Sequence, residues 1–324
     1  MDRIAFVFPG QGSQSVGMGK ALVEASPAAA AVLGQADDAL GEPISPLAFE
    51  GPAEELDLTV NAQPAIVAVS IAFLAALRER WAAAGIEAPT PAFAAGHSMG
   101  QYSAMVAAGV ISLADAVRLV RERGVQMQSS GQGRSGAMAA VIGLDNTRLD
   151  ELVALGTPHG SLTVANRNAP GQVVISGDRA AVEAAAAGAK TLGARLVKVL
   201  PVSVAAHSSL MAEAAEGMAR VLAPIAFADP SITLLANADA RPISTAAGAR
   251  DELIEHLTRG VDWIAAVERM TADGVTTFVE VGPGKVLTGL IKRIAPEANA
   301  IAVDDASAPG AIAVPFVDGA VATN

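Results

Sequence analysis

The stretch Pro91-Ala92-Phe93-Ala94-Ala95-Gly96-His97-Ser98-Met99-Gly100-Gln101 decides the reading of this chain. A short apolar run, Pro91 to Ala95, has the length and composition of a buried strand. It passes directly into Gly96-His97-Ser98-Met99-Gly100, and an alanine-rich helical pattern starts at Gln101. The pentapeptide is the only G-x-S-x-G in the sequence, and in a chain with 31 glycines the bare pattern carries little weight. Its setting carries more. A serine placed where a strand becomes a helix must take a tight turn that lifts its hydroxyl clear of the sheet. Glycines two residues to either side keep neighbouring backbone from colliding with that turn. The competing reading is a βα loop closed by glycines, with no chemistry attached.

Outward from this point the first half alternates strand and helix. Ile4 to Phe8 is uniformly apolar and ends at Pro9-Gly10, as suits a strand covered on both faces. Helical periodicity runs over Ala21 to Leu40 and Ala65 to Ala84, with a turn-rich stretch from Gly41 to Pro52 between them. The alternation predicts a mainly parallel α/β sheet. The middle reads differently: strand Gly136–Gly143, helix Thr147–Leu155, strands Ser161–Arg167 and Gln172–Ser176 joined by a turn at Asn168-Ala169-Pro170-Gly171, helix Asp178–Leu192 and strand Ala194–Leu200. The order β-α-β-β-α-β is the ferredoxin-like unit. The expected division is a large body from residues 1–129 and 201–304, a small inserted domain over 130–200, and a loosely held tail over 305–324. In the returning body, helices at Ser209–Leu222 and Ala249–Thr258 flank an apolar run, Ile232–Ala236, and a last strand, Thr277–Val281, precedes Gly282-Pro283-Gly284-Lys285.

Composition narrows the function. With 324 residues, 52% of them hydrophobic and 17% charged, the chain can bury a sizeable core. The 22 basic and 33 acidic residues leave a net charge of −11, which argues against nucleic acid as a partner. Zero cysteines rule out disulfides, thiolate metal sites and a cysteine nucleophile. The five-residue apolar run before Pro9 is too short for a secretory signal, so a cytoplasmic location is expected. Pro64 to Leu77, the longest apolar stretch, is shorter than the ~18–20 residues that span a bilayer. It reads as a buried helix, and no membrane partner is expected.

A serine hydroxyl needs a base, and the chain offers four histidines. His97 adjoins Ser98 on a strained backbone and should point away from it. His159, in Pro158-His159-Gly160, reads as an exposed loop residue. His207 sits on a connection between an apolar run and a helix, where catalytic groups gather. His256 lies within a helical pattern, where packing is the simpler role. Both of the last two stay open, with His207 favoured. Arg123 poses a second question. Ser112 and Asp115 form a capping pattern, after which Leu113, Ala116, Val117, Val120 and Met127 share one helix face. Arg123 falls at the edge of that face, while Arg118, Arg121 and Glu122 point outward. A guanidinium there needs an anion, either a structural carboxylate or something the protein binds.

Taken together, Phe8-Pro9-Gly10-Gln11-Gly12-Ser13-Gln14, Gly51-Pro52-Ala53-Glu54-Glu55-Leu56, Gln63-Pro64-Ala65, Gly96-His97-Ser98-Met99-Gly100, Arg123-Gly124, Ala169-Pro170-Gly171-Gln172-Val173-Val174, Pro201-Val202-Ser203-Val204, His207-Ser208 and Glu280-Val281-Gly282-Pro283-Gly284-Lys285-Val286-Leu287 closely resemble the malonyl-CoA:acyl carrier protein transacylases of fatty-acid synthesis, relatives of the acyltransferase domains of polyketide synthases. The resemblance implies an α/β-hydrolase-like body with a ferredoxin-like insertion. It implies Ser98 as acyl acceptor, His207 as its base, and the backbone N–H groups of Gln11 and Met99 as an oxyanion hole. Arg123 and Gln63 would contact the substrate, with Arg123 holding the free carboxylate of malonyl. The backbone carbonyl at His256 would orient the base. Malonyl-CoA and acyl carrier protein are the implied partners, no metal or bound cofactor is needed, and a monomer is expected.

Some features depart from the family pattern. The family usually has Glu after the second glycine of the elbow, where this chain has Gln101, and His256 stands at a position resembling a glutamine. Val204-Ala205-Ala206 matches neither the common malonyl nor the common methylmalonyl signature, so selectivity for malonyl rests on Arg123 and the overall match. An acidic carrier predicts a local cationic patch near Ser98, with Lys198, Lys285, Lys292 and Arg293 as candidates. The rival reading is a serine hydrolase or thioesterase using Ser98, His256 and an acid such as Asp229 or Asp239. A carrier-binding module without catalysis is a third.

Overall fold

The structure is a computed structural model that describes residues 3–130, 135–200, 204–304 and Pro315. Two sheets organise it. The strands are β1 (Arg3–Phe8), β2 (Phe93–Gly96), β3 (Gly136–Ile142), β4 (Leu162–Ala169), β5 (Gln172–Asp178), β6 (Leu196–Val199), β7 (Thr233–Leu235), β8 (Pro242–Ile243), β9 (Val261–Asp262), β10 (Val275–Glu280) and β11 (Asn299–Ala302). The first sheet has the order β11-β10-β1-β2-β7-β8 and is parallel except for the β7–β8 pair. The second has the order β6-β3-β5-β4-β9. Its first four strands are antiparallel and carry the ferredoxin-like arrangement, and β9, from outside that segment, adds to it in parallel. The expected fold class is thus the one found. Of the expected tail only Pro315 is described. It is buried, and its carbonyl accepts a hydrogen bond from Trp81 Nε1 at 2.8 Å. The rest of that tail, and parts of the expected domain seams at 131–134 and 201–203, lie outside the described residues.

The apolar run in β1 is covered on both faces, as its lack of alternation predicts. Ile4, Phe6 and Phe8 pack into one cluster with the helices before residue 130, while Ala5 and Val7 face the helices Trp263–Ala272 and Val286–Ile294. The central helix is longer than the apolar stretch in the sequence suggests. It spans Thr59–Ala83 and includes Pro64, and it is long and apolar enough to cross a membrane, yet the protein itself covers most of that length. The periodic segment Ala21–Leu40 is two helices, Lys20–Ala25 and Pro27–Leu40. Ser26 takes an extended backbone and its side chain accepts from Ala29 N, with Pro27 opening the second helix, so a cap interrupts a pattern that periodicity alone reads as continuous. The turn-rich stretch after Gly41 contains a short helix, Ser45–Glu50. Ser112 and Asp115 cap the helix Leu113–Ser130 reciprocally: Ser112 Oγ accepts from Asp115 N at 3.0 Å and donates to Asp115 Oδ2 at 2.6 Å.

The backbone crossing under Ser98 is very tight. A Cβ on Gly96 would lie 2.0 Å from Gln101 N and from the Gly100 carbonyl carbon, and one on Gly100 would lie 2.3 Å from Phe8 O. One on Gly10 would lie 2.5 Å from His97 O, so the loop after β1 rests on the elbow. Further out, a Cβ on Gly124 would meet Val60 Cα at 2.8 Å, and this close helix approach sets the reach of Arg123. Glu280, buried at the end of β10, accepts from Leu287 N and Thr288 N at 2.9 and 2.6 Å and caps the helix Val286–Ile294. Gly100→Ala must push backbone apart, and we expect it to cost about 3 kcal/mol or more and lower Tm by at least ~5 °C. Gly34→Ala is its control: Gly34 is exposed within the helix Pro27–Leu40 with open space at its Cβ, and the change should stabilise by about 0.5–1 kcal/mol. Thermal melts of the two variants check both signs.

Candidate active site

Ser98 lies two residues past the end of β2 and has φ 52°, a left-handed conformation that is unusual for a residue with a side chain. His207 has φ 60°. Strained backbone at two residues that touch each other is the pattern expected of a site held together by its surroundings. Ser98 Oγ and His207 Nε2 are 2.8 Å apart. The proton positions follow from the partners. His207 Nδ1 faces two carbonyl oxygens, His256 O at 2.6 Å and Arg259 O at 3.1 Å, which can only accept. Nδ1 therefore carries the hydrogen, Nε2 presents its lone pair, and the Ser98 hydroxyl donates to it. Burial, and then the nearby Arg123 charge, push His207 down to about 3, so the imidazole is neutral and able to take a proton.

Arg123 is 2% exposed, and no carboxylate pairs with it among the described residues. Its Nη1 donates to Gln63 Oε1 at 2.8 Å and its Nη2 to Ser98 Oγ at 3.2 Å. Burial lowers its pKa to about 10, which leaves it charged at neutral pH. Of the two readings of this arginine, the structural carboxylate is not found among the described residues. Gln63, fully buried, touches Arg123 and Met127 rather than Ser98, so it is placed to act through the arginine. The backbone N–H groups of Gln11 and Met99 have no acceptor among the described residues, and the Gly10 contact brings the first of these loops onto the elbow. Two unpaired donors, a charged guanidinium and a serine–imidazole pair can together support attack on an acyl carbon, with a fixed cation for an anionic acyl group.

The other histidines stand apart. His97 Nε2 contacts Asn168 Oδ1 at 2.8 Å, near the end of β4, which runs on through Asn168 and Ala169 so that only Pro170-Gly171 form the turn, and its ring lies against Trp263. His159 is exposed. The ring of His256 is buried and its Nδ1 donates to Glu252 O at 2.9 Å; its ring centroid lies 6.3 Å from that of His207, and its carbonyl is the group that accepts from His207 Nδ1. The acids of the rival hydrolase constellation are engaged elsewhere: Asp239 pairs with Arg259 and Arg241, and Asp229 accepts from Ala246 N. Of the candidate cations, Lys198 lies on edge strand β6, Lys285 precedes the helix Val286–Ile294, and Lys292 and Arg293 end that helix. Arg293 is already bound to Gln172 Oε1 and Pro170 O. Gln101 bridges the elbow to β7, accepting from Gly96 N at 3.0 Å and donating to Leu235 O at 2.9 Å, and an ionised Glu could not make the second bond.

Two contributors escape the sequence reading. Asn237, just past β7, accepts from Ser98 N at 2.8 Å through Oδ1. Glu252 Oε1 in turn accepts from Asn237 N at 2.7 Å and from Asn237 Nδ2 at 3.2 Å. Burial raises this carboxyl to about 7. The available signals are a lone amide at the carboxyl end of a parallel-sheet strand, where sites gather, and a carboxylate one helical turn before His256.

Comparison with known proteins gives the family. The acyl transferase domain family matches residues 5–309. A malonyl CoA-acyl carrier protein transacylase of Bacillus subtilis (strain 168) is 45% identical over 306 residues, covering 94% of each chain. An acyl-carrier-protein S-malonyltransferase of Bartonella henselae superposes with a TM-score of 0.89 at 43% identity, covering 94% of this chain and 96% of that one. A malonyl-transacylase solved in complex with its type II PKS acyl-carrier protein gives 0.88 at 41% identity, covering 94% and 96%. A serine–imidazole pair beside a buried, unpaired arginine, on a fold shared along nearly the whole length of these enzymes, places the chain in the acyl transferase domain family, among its malonyl CoA-acyl carrier protein transacylases.

Proposed function

We propose that the protein transfers a malonyl group from malonyl-CoA to the phosphopantetheine thiol of an acyl carrier protein, by a ping-pong route through a malonyl ester on Ser98. The observation that carries this reading is Arg123: a buried guanidinium with no carboxylate partner among the described residues, 3.2 Å from the serine oxygen. It offers the charge a free malonyl carboxylate requires, and its planar fork can bind that group bidentately. Ser98 Oγ attacks the thioester carbonyl as its proton passes to His207 Nε2, and the Gln11 and Met99 N–H groups stabilise the oxyanion. The C–S bond breaks and the imidazolium protonates the departing CoA thiolate. The carrier thiol then gives its proton to His207, attacks the ester, and Ser98 recovers its proton as the new thioester forms.

Two carbonyls, rather than a carboxylate, hold His207 Nδ1–H. They fix the tautomer but stabilise the imidazolium less than a charged partner would. Binding of malonyl adds a negative charge next to Arg123 and so removes much of the repulsion on a protonated His207. The base becomes stronger once its substrate is in place. On the same reading residues 1–129 and 201–304 form the catalytic body, 130–200 the ferredoxin-like insertion, and the protein works as a cytoplasmic monomer. Complex formation by the PKS malonyl-transacylase with its acyl-carrier protein supports a carrier as second substrate.

Incubation with radiolabelled malonyl-CoA should leave one label per chain on Ser98, absent in Ser98→Ala. His207→Ala should slow labelling by about 10³-fold or more, whereas His256→Ala, whose main chain is kept, should still label; the reverse order would favour the hydrolase reading. Arg123→Ala should lower kcat/KM for malonyl-CoA by about 100-fold or more relative to acetyl-CoA, and an acyl-CoA panel including methylmalonyl-CoA reads the preference directly. For pH, the sign follows from a neutral base: lowering of the His207 pKa to about 3 leaves kcat/KM for malonyl-CoA without an acid limb at pH 6–7, activity falling only as the pH approaches that depressed value. Loss of the Arg123 cation favours protonation, so Arg123→Ala should move the limb to higher pH, measured with acetyl-CoA.

A further inference from the structure

We infer that Glu252 and Asn237 are positioning residues: the carboxylate locks the orientation of the Asn237 amide, and that amide holds the Ser98 main chain in its left-handed turn. The inference rests on Ser98 being the acylated residue. Each bond has a direction. The Ser98 N–H donates to Asn237 Oδ1, and Asn237 Nδ2 donates to Glu252 Oε1, which also accepts from Asn237 N. A reversed amide would set its NH₂ against the Ser98 N–H, donor to donor, and its oxygen against the carboxylate, acceptor to acceptor. Glu252 Oε1 also accepts from the Asn237 main-chain N–H, which fixes it as an acceptor facing the side-chain amide, so the reversed orientation would set oxygen against oxygen.

The arrangement is costly, which argues that it is not packing alone. Glu252 is 2% exposed and forms no salt bridge among the described residues. A buried carboxyl group without a counter-charge is retained at a desolvation cost, seen in its raised pKa, that a neutral side chain would avoid. The Asn237 carbonyl is fixed as well, accepting from Asp262 N at 2.7 Å. The same helical turn also serves the base. Glu252 O accepts from His256 N and Nδ1, and His256 O accepts from His207 Nδ1. Residues 252–256 thus set the serine, through Asn237, and the imidazole, through a carbonyl, relative to one another. Displacement by a fraction of an ångström at either end lengthens the 2.8 Å Ser98–His207 bond, and misplacement by about 1 Å can cost ~10²-fold in rate.

The test compares wild type, Glu252→Gln, Glu252→Leu, Asn237→Ser and the double variant Asn237→Ser/Glu252→Leu in the full chain. Two reactions at Ser98 are followed: single-turnover acylation by malonyl-CoA and phosphonylation by a fluorophosphonate, each as a rate constant per reactive serine, so that unfolded protein does not enter. Glu252→Leu and Asn237→Ser should each slow both reactions by about 10–100-fold with KM for malonyl-CoA within about threefold, and Glu252→Gln, which keeps an acceptor, should recover most of the rate. The double variant should be no slower than the slower single one, because both act through one bond. Unchanged rates in either single variant, fully multiplicative losses, or Glu252→Gln as slow as Glu252→Leu would each overturn the inference. If Glu252→Leu does not fold, Asn237→Ser and Glu252→Gln still decide it. A wild type that accepts the fluorophosphonate but not malonyl-CoA would refute the proposed donor instead, and the phosphonylation rates would still read the positioning.

Discussion

The molecule turns on one backbone constraint, a left-handed residue wedged between chains that approach more closely than any side chain would allow. Ser98, at φ 52°, sits where β2 stops, with Gly96 below it, Gly100 against the Phe8 carbonyl and Gly10 against its own neighbour His97. A non-glycine residue in this conformation costs roughly 1–2 kcal/mol, and it persists only where the surroundings over-determine it. Here they do so through the parallel sheet from behind, the loop after β1 from one side, and the Asn237 amide on the Ser98 N–H. The hydroxyl is thereby held against His207 Nε2 while the adjacent Met99 N–H remains without a partner among the described residues. The same turn presents the Ser98 hydroxyl and leaves an N–H donor without a partner beside it, the two groups that the proposed function uses.

Electrostatics supply the second layer. The protein is strongly acidic overall, but what lies around the serine is a buried cation and a neutral imidazole. Arg123 is desolvated without an opposing charge among the described residues, a state whose cost is relieved when an anion arrives. Gln63 orients the guanidinium with a neutral oxygen, so it guides the group without satisfying it. A carboxylate in Gln63's place would quench the charge and close the site to an anionic acyl group. The close contact of Gly124 with Val60 brings the two helices together so that the pair can form. Positioning of the His207 imidazole by carbonyls fits this scheme, since a fixed negative group beside it would compete for the arginine's field.

The layered α/β architecture was legible from the chain because burial on two faces leaves no alternation in β1, and because the strand-to-helix change at Gly96 is abrupt. The β-α-β-β-α-β segment was legible for the same reason, although its sheet borrows Val261–Asp262, a pairing between residues about a hundred positions apart that no local pattern encodes. Boundaries were less legible where capping competes with periodicity, as at Ser26-Pro27, and where a proline lies inside the first turns of a buried helix, as at Pro64. Within the site, Ser98, His207 and Arg123 stand out because each is a chemically conspicuous group in an improbable setting. Asn237 and Glu252 do not, because an amide and a carboxylate are ordinary residues until the fold removes their water.

The sequence by itself determined the elements, the turn that must carry glycine, and which side chains were chemically able to form the site, since these follow from local sterics and from the period of burial. Which histidine meets the serine, whether Arg123 finds a protein carboxylate, and what locks the elbow were decided only by the tertiary structure. Hydrogen-bond partners and local dielectric are properties of neighbours in space. His207 and His256 are both imidazoles in the sequence, and the fold separates them by presenting the ring of one and the carbonyl of the other.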